Sequence, residues 1–176
     1  KKYCDDINID FSSSVFSLKQ LRELVSLNPK YIKIASMDLN NDALIMEAGK
    51  TKLPVILSTG LSSFNEIKHA VQIFRKTNNH QLILLHCKAV YPPSDKEIDL
   101  NNIDLLKEEF KCSVGFSDHS IGVEAPIISI VLGAKVIEKH LTLNNKLKGP
   151  DHKASIEPND FKKMVLAIKN AEKMLG

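Results

Sequence analysis

The sequence predicts a parallel α/β fold, and within that class a (β/α)8 TIM-type barrel that is incomplete, with about six βα units in 176 residues. Three observations predict it. Short β-branched or apolar runs alternate with longer segments of helical periodicity. No G-x-G-x-x-G follows any strand, as a dinucleotide-binding open sheet would require. Polar and chemically versatile residues end every strand instead of gathering at one switch point, which is how a barrel mouth is furnished.

In chain order, the predicted strands are INIDFSS at 7–13, YIKIAS at 31–36, PVILST at 54–59, LILLHC at 82–87, SVGFSD at 113–118 and KVIEKH at 135–140. The crossover helices include LKQLRELV at 18–25, FNEIKHAVQIFRKT at 64–77, NIDLLKEEF at 102–110 and EAPIISIVLG at 124–133. The last is so apolar that it should be largely buried. Ser63 is placed to cap the helix that begins at Phe64, with Glu66 in its first turn. Pro158 opens the terminal run DFKKMVLAIKNAEKML, as proline does in a first turn.

Composition narrows the partners. With 43% hydrophobic and 26% charged residues the chain reads as one globular domain, residues 1–176. No apolar stretch approaches the roughly 20 residues of a membrane helix, and KKYCDDINID lacks the apolar run of a secretory signal, so the expected location is cytoplasmic with no membrane partner. Cys4, Cys87 and Cys112 form no C-x-x-C pair, which argues against a disulfide scaffold and a thiolate zinc site. A net charge of +3, with lysines spread along the chain, gives no nucleic-acid footprint.

At a barrel mouth, strand-end residues distant in sequence share one pocket. Adjacent strands lie about 4.8 Å apart, so His119 and His140, ending the fifth and sixth runs, can project side by side and share a divalent ion. Two imidazoles leave coordination positions open for water or substrate, which suits Mg2+ or Mn2+ more than Zn2+, for which a third protein ligand is usual. A lone strand-end histidine is more often a hydrogen-bonded filler. Two on neighbouring strands, beside Asp118 and Glu138, favour the metal, and His86 reads as structural. Lys33 lies inside an apolar strand, where an ammonium needs an internal carboxylate or an anionic ligand. Ser13, Ser14, Ser36 and Ser117 add hydroxyls at the same level. Tyr91, in the rigid VYPPS turn, is presented at the mouth. Asp151, in the irregular loop KGPDHKASIEP, suits sugar hydroxyls.

The runs KIASMDL, PVILSTGLSS, LLHCKAVYPP, VGFSDHSIGVE and VIEKHLTLNNKLKGPDHKASIEP resemble the N-acetylneuraminate (sialic acid) synthase family, which includes the legionaminate and pseudaminate synthases. SDHS followed by EKH and then GPDH is the specific part of the resemblance, which covers practically the whole chain. It implies condensation of phosphoenolpyruvate with N-acetylmannosamine or a related 2-acetamido sugar, giving a nine-carbon 2-keto acid and phosphate. It also implies His119 and His140 as ligands to Mn2+, with Mg2+ or Co2+ as alternatives. Lys33, Ser36, Ser117 and Ser14 match phosphoenolpyruvate contacts, Tyr91 and Asp151 match positions near phosphoenolpyruvate and the sugar, and Asp38 matches a catalytic acidic position.

The chain departs from the family pattern in places. Lys88 and Ala89 follow HC where Thr and then Ser or Asn are usual, and SSSVF replaces STPF. The six runs match the third to eighth strands of the family barrel, and no antifreeze-protein-like domain follows Gly176. On that basis the isolated chain is expected to be inactive, and the full-length protein is expected to be a homodimer. Two other classes stay open at this point: a metal-dependent or Schiff-base aldolase using Lys33 on the same barrel, and a non-catalytic remnant of a synthase.

Overall fold

The computed structural model describes residues 1–176. Its elements run α1 (Lys2–Asp6), α2 (Leu18–Ser26), β1 (Ile32–Ile34), α3 (Asp42–Lys50), β2 (Val55–Ser58), α4 (Phe64–Arg75), β3 (Leu82–Cys87), α5 (Asp95–Ile98), α6 (Asn102–Phe110), β4 (Ser113–Asp118), α7 (Glu124–Val131), β5 (Ile137–Lys139) and α8 (Pro158–Leu175). One-turn 3-10 segments follow β1 at Ser36–Asp38 and precede α8 at His152–Ala154. The five strands lie in the sheet in chain order, β1-β2-β3-β4-β5. Strand, helix, parallel strand is the unit that the alternating sequence demands.

The chain divides into two compact units, Lys1–Leu84 and Leu85–Gly176. In the first, β1 and β2 pair in parallel with Lys33 opposite Ile56. Ile32, Ile34, Leu44, Ile45, Leu57 and Phe74 are fully buried around them. Each such side chain contributes about 1.5–3 kcal/mol relative to exposure. Ser63 caps α4 through a full capping box: Glu66 N donates to Ser63 Oγ, and Glu66 Oε2 accepts from Ser63 N.

Helix α3 is an element that sequence periodicity did not reveal. Asn41 Oδ1 caps it by accepting from Leu44 N at 3.2 Å. Gly49 near its end allows a close approach, since a β-carbon there would meet Thr77 Oγ1 at 2.6 Å. Side-chain packing of that kind is invisible to a periodicity count.

The run at 7–13 does not form the strand expected of it, so there are five strands and not six. Asn8 takes a left-handed φ of 55°, which breaks an extended path. The Ser12 hydroxyl donates to the Tyr31 carbonyl oxygen at 2.7 Å, putting a side chain where a ladder amide would sit. Pairing survives only as a single bridge, Ser14 with Lys33, in which Val15 N donates to Lys33 O.

In the second unit β4 and β5 run parallel, with Phe116 opposite Ile137, Ser117 opposite Glu138 and Asp118 opposite Lys139. Leu85, Ile103 and Phe116 are its large buried apolar side chains. Helix α7 packs on β4 and α8, yet its burial is one-sided: Ala125, Pro126, Ser129 and Ile130 are buried, while Ile128 and Val131 are 50% and 57% exposed. The expectation of a largely buried helix is therefore corrected. Composition was read without the 100° step between residues, which turns every third or fourth side chain outward.

The Asp118 and Lys139 side chains are 0% and 1% exposed and form an ion pair of 2.5 Å across this register. Removing one partner of a buried pair strands the other charge in a poor solvent. Asp118→Ala is expected to lower unfolding free energy by about 3–5 kcal/mol, measured by urea denaturation. Gly115→Ala, whose new methyl would meet the Val136 carbonyl oxygen and the Leu85 side chain, is expected to cost about 1–3 kcal/mol in the same assay.

Candidate functional site

Three consecutive cross-strand pairs build the site of the second unit. Successive strand residues point to opposite faces, so Ser117 and Glu138 share a face with His119 and His140, while Asp118 and Lys139 point the other way. On the first face the Ser117 hydroxyl donates to Glu138 Oε1 at 2.7 Å. On the opposite face Lys139 Nζ donates to Asp118 Oδ2 and to the Ser120 carbonyl oxygen, while Ser120 N and Oγ donate to Asp118 Oδ1. One residue beyond, the His119 and His140 rings lie with centroids 5.3 Å apart.

His119 is oriented before any ligand arrives. Its Nδ1 donates to the Lys88 carbonyl oxygen at 2.9 Å, which leaves Nε2 with the lone pair a metal needs. Burial holds its pKa below the ordinary histidine value. The Lys88 carbonyl opposes that shift, His140 reinforces it, and the charges of Asp118 and Glu138 oppose it. A neutral imidazole is the ligand form. No third histidine, cysteine or carboxylate converges to make a three-ligand group. The donor set is two imidazoles, and it fits a divalent ion completed by water or substrate oxygens better than a closed structural zinc site.

Tyr91 covers this pair. Its ring centroid is 4.0 Å from that of His119 and 5.8 Å from that of His140. Burial raises the phenol pKa, followed by Cys87 and by the negative charges of Asp151 and Glu138. Asp151 is thereby placed in the electrical neighbourhood of Tyr91. It lies exposed in the segment between β5 and α8, which is tied down by its own hydrogen bonds: Thr142 Oγ1 with His152 Nδ1 at 2.7 Å, and Ser155 Oγ donating to Asp151 O at 2.8 Å.

In the first unit Lys33, 7% exposed, donates from Nζ to Ser58 Oγ at 2.9 Å and to Ile34 O at 3.0 Å. Ser14 pairs with Lys33 through the isolated bridge. Ser36 Oγ accepts from Gly60 N at 3.0 Å, so Ser36 also fixes the turn after β2. Asp38 Oδ1 accepts from Asn41 Nδ2 at 3.2 Å, which ties it to the residue that caps α3.

The sequence-predicted residues thus fall into two groups. Ser14, Lys33, Ser36 and Asp38 belong to the first unit, and Tyr91, Ser117, His119, His140 and Asp151 to the second. His86, read from the sequence as structural, donates from Nε2 to Ile98 O at 2.6 Å, and its ring stacks on Phe116. Sequence reasoning missed Ser58, Lys139 and Asn145. Ser58 was legible as the last residue of VILS, on the strand beside Lys33. Asn145 carried no local signal.

A family model described as "NeuB family" matches residues 1–176. Among curated relatives, the chain is 36% identical to the N,N'-diacetyllegionaminic acid synthase of Legionella pneumophila, over 98% of this chain and 49% of that protein. It is 38% identical to a pseudaminic acid synthase of Campylobacter jejuni, over 93% of this chain and 48% of that protein. The chain spans about half the length of these curated relatives. Among solved structures, the sialic acid synthetase of Leptospira borgpetersenii, crystallised with citrate, superposes with a TM-score of 0.95 at 38% identity, covering 100% of this chain and 61% of that one.

His86 generates a pH prediction. Burial holds its pKa below the ordinary 6.5, against the Ile98 carbonyl. Between 6.5 and that lower value the unfolded chain binds a proton that the folded chain refuses. The stabilisation is therefore complete above 6.5, falls as pH drops toward the folded value, and falls no further below it. Urea midpoints at about pH 7.5 and about pH 5.5 should differ more for the wild type than for His86→Gln, whose side chain does not titrate.

Proposed function

The chain belongs to the NeuB family, and on that footing we propose that it carries the metal-binding and phosphate-binding residues of a nonulosonic acid synthase. The reaction joins C3 of phosphoenolpyruvate to the aldehyde carbon of an open-chain 2-acetamido sugar. Water then adds at C2 and phosphate leaves, giving a nine-carbon 2-keto sugar acid. The observation that carries this reading is the adjacency of His119 and His140, with His119 Nδ1 already committed to the Lys88 carbonyl.

His119 and His140 would hold a divalent ion, with Mn2+ the best fit to two imidazoles and an oxygen-rich remainder and with Mg2+ or Co2+ as substitutes. Such an ion supplies Lewis acidity to the sugar aldehyde when bound. Tyr91, packed on both imidazoles, limits their motion and shields that spot from bulk water. Asp151, an acceptor, suits the sugar hydroxyls.

Lys33 neutralises the phosphate that departs. Its ammonium is held by Ser58 and the Ile34 carbonyl, so its position is set before a ligand binds, and a charge fixed in advance costs no reorganisation in the transition state. Ser14 and Ser36 stand on the same unit as additional polar contacts. Asp38, fixed by Asn41, is the carboxylate of this group and is assigned to proton handling. On the same reading we propose that the full-length protein acts as a homodimer in the cytoplasm.

Two measurements test the proposal. Mn2+ titrated into the wild-type chain and followed by electron paramagnetic resonance should be bound, and His119→Ala or His140→Ala should each weaken binding at least about tenfold. A wild-type chain that leaves the Mn2+ signal unaltered would sink the metal assignment. Separately, phosphoenolpyruvate should broaden or shift in its 31P resonance on adding the chain. Lys33→Met should abolish most of that change, and an unchanged titration would remove Lys33 from the phosphate site.

A further inference from the structure

The segment that follows β5 bears Asp151, whose carbonyl oxygen accepts from Ala154 N and Ser155 Oγ, so the residues that hold it are themselves part of the loop. That turn is also tied from the other side of the loop by Asn145. One side-chain amide proton goes to the His152 carbonyl oxygen at 2.9 Å, and the same nitrogen donates to the Ser155 carbonyl oxygen. Its backbone N donates to Glu157 Oε1 at 3.0 Å. Two short ties supplement it, Thr142 Oγ1 with His152 Nδ1 and Ser155 Oγ with Asp151 O. Where the chain leaves β5, Ile156 N donates to the carbonyl oxygen of His140 itself and Thr142 N to Ile156 O.

Asn145 therefore spans the loop with two side-chain bonds, reaching residues seven and ten positions ahead. Both of its contacts require a donor. An amide nitrogen has two protons and no acceptor role there, whereas a carboxylate has neither proton and would face two carbonyl oxygens. A carboxylate at 145 would also stand close to that of Glu157, which accepts from the backbone of the same residue. The held loop places Asp151 where its charge acts on Tyr91, and the Tyr91 ring lies on His119 and His140.

We propose that Asn145 is a positioning residue: its amide clamps the His152–Ser155 turn and so fixes the adjoining Asp151, ready to accept from the hydroxyls of the amino sugar. The inference rests on the synthase reading, because it gives the clamp a substrate to serve. It adds a residue that acts through another and touches neither sugar nor metal.

The discriminating feature is the order of two substitutions. Loss of the two bonds in Asn145→Ala should weaken the loop, and Asn145→Asp, nearly the same in size, should weaken it more because attraction becomes repulsion. A residue that merely fills space would show the reverse order. Ser155→Ala, which loses only the tie to Asp151 O, should fall between Asn145→Ala and the wild type.

The experiment takes these three variants in the full 176-residue chain with Mn2+ present. Hydrogen exchange of amides 151–156 reads the clamp, binding of N-acetylmannosamine by ligand-observed NMR reads its purpose, and Mn2+ affinity serves as the control. Asn145→Ala should speed exchange and weaken sugar binding about tenfold, and Asn145→Asp about a hundredfold, with Mn2+ affinity within about threefold of wild type. Unchanged exchange in Asn145→Asp overturns the clamp. Faster exchange with unchanged sugar affinity overturns its role in positioning Asp151. A wild-type chain that binds Mn2+ but no sugar overturns the synthase reading beneath the inference, and the exchange data then stand apart from it.

Discussion

The contact on which the second unit depends is the buried ion pair of Asp118 and Lys139. It is a poor source of net stability, because both charges surrender water to form it. Its value lies in register. Parallel strands can slide past one another at modest cost to their backbone ladder, but a slip by one residue would leave two charges unpaired in the interior. The pair therefore fixes Asp118 opposite Lys139, and the next residue on each strand is a histidine. His119 and His140 sit side by side because the residues before them cannot be anywhere else.

The alternation of a strand divides the labour. The face bearing Ser117, Glu138 and the two histidines is that of the candidate site, with a hydroxyl donating to a carboxylate beneath a pair of imidazoles. The opposite face carries the ion pair and its hydrogen bonds to Ser120. In the first unit a similar economy places Lys33 among Ile32, Ile34 and the β2 residues, with Ser58 from the neighbouring strand as a fixed acceptor. In both units a polar residue that would burden the core if unpaired is satisfied by the strand next to it.

Much of this was legible in the residues. Ser63 with Glu66 and Pro158 announced the starts of α4 and α8, because capping chemistry is local and a few neighbours decide it. Strands such as LILLHC and SVGFSD were found to the residue, since a long apolar run flanked by turn signals has little else to become. Residues 7–13 misled because their β-branched and aromatic content is that of a strand, while the left-handed turn at Asn8 and the Ser12 bond to Tyr31 favour another path. Helix α3 escaped because DALIMEAGK carries Gly49 in its last turn, whose role is a close approach to Thr77 that no local pattern encodes.

Sequence by itself determined which residues could do chemistry: two strand-end histidines, a lysine in an apolar strand, and the GPDH segment after the last strand. Side-chain chemistry is a property of the residue, so it can be read in one dimension. Tertiary structure alone decided what each of them faces. Asp118, next to His119 in the chain, turns away to Lys139; Glu138, next to Lys139, turns toward Ser117; and Asp151 is held from Asn145, six residues back across a loop. Adjacent residues of a strand point to opposite faces, and their partners are chosen by register and loop closure, which exist only once the chain has folded.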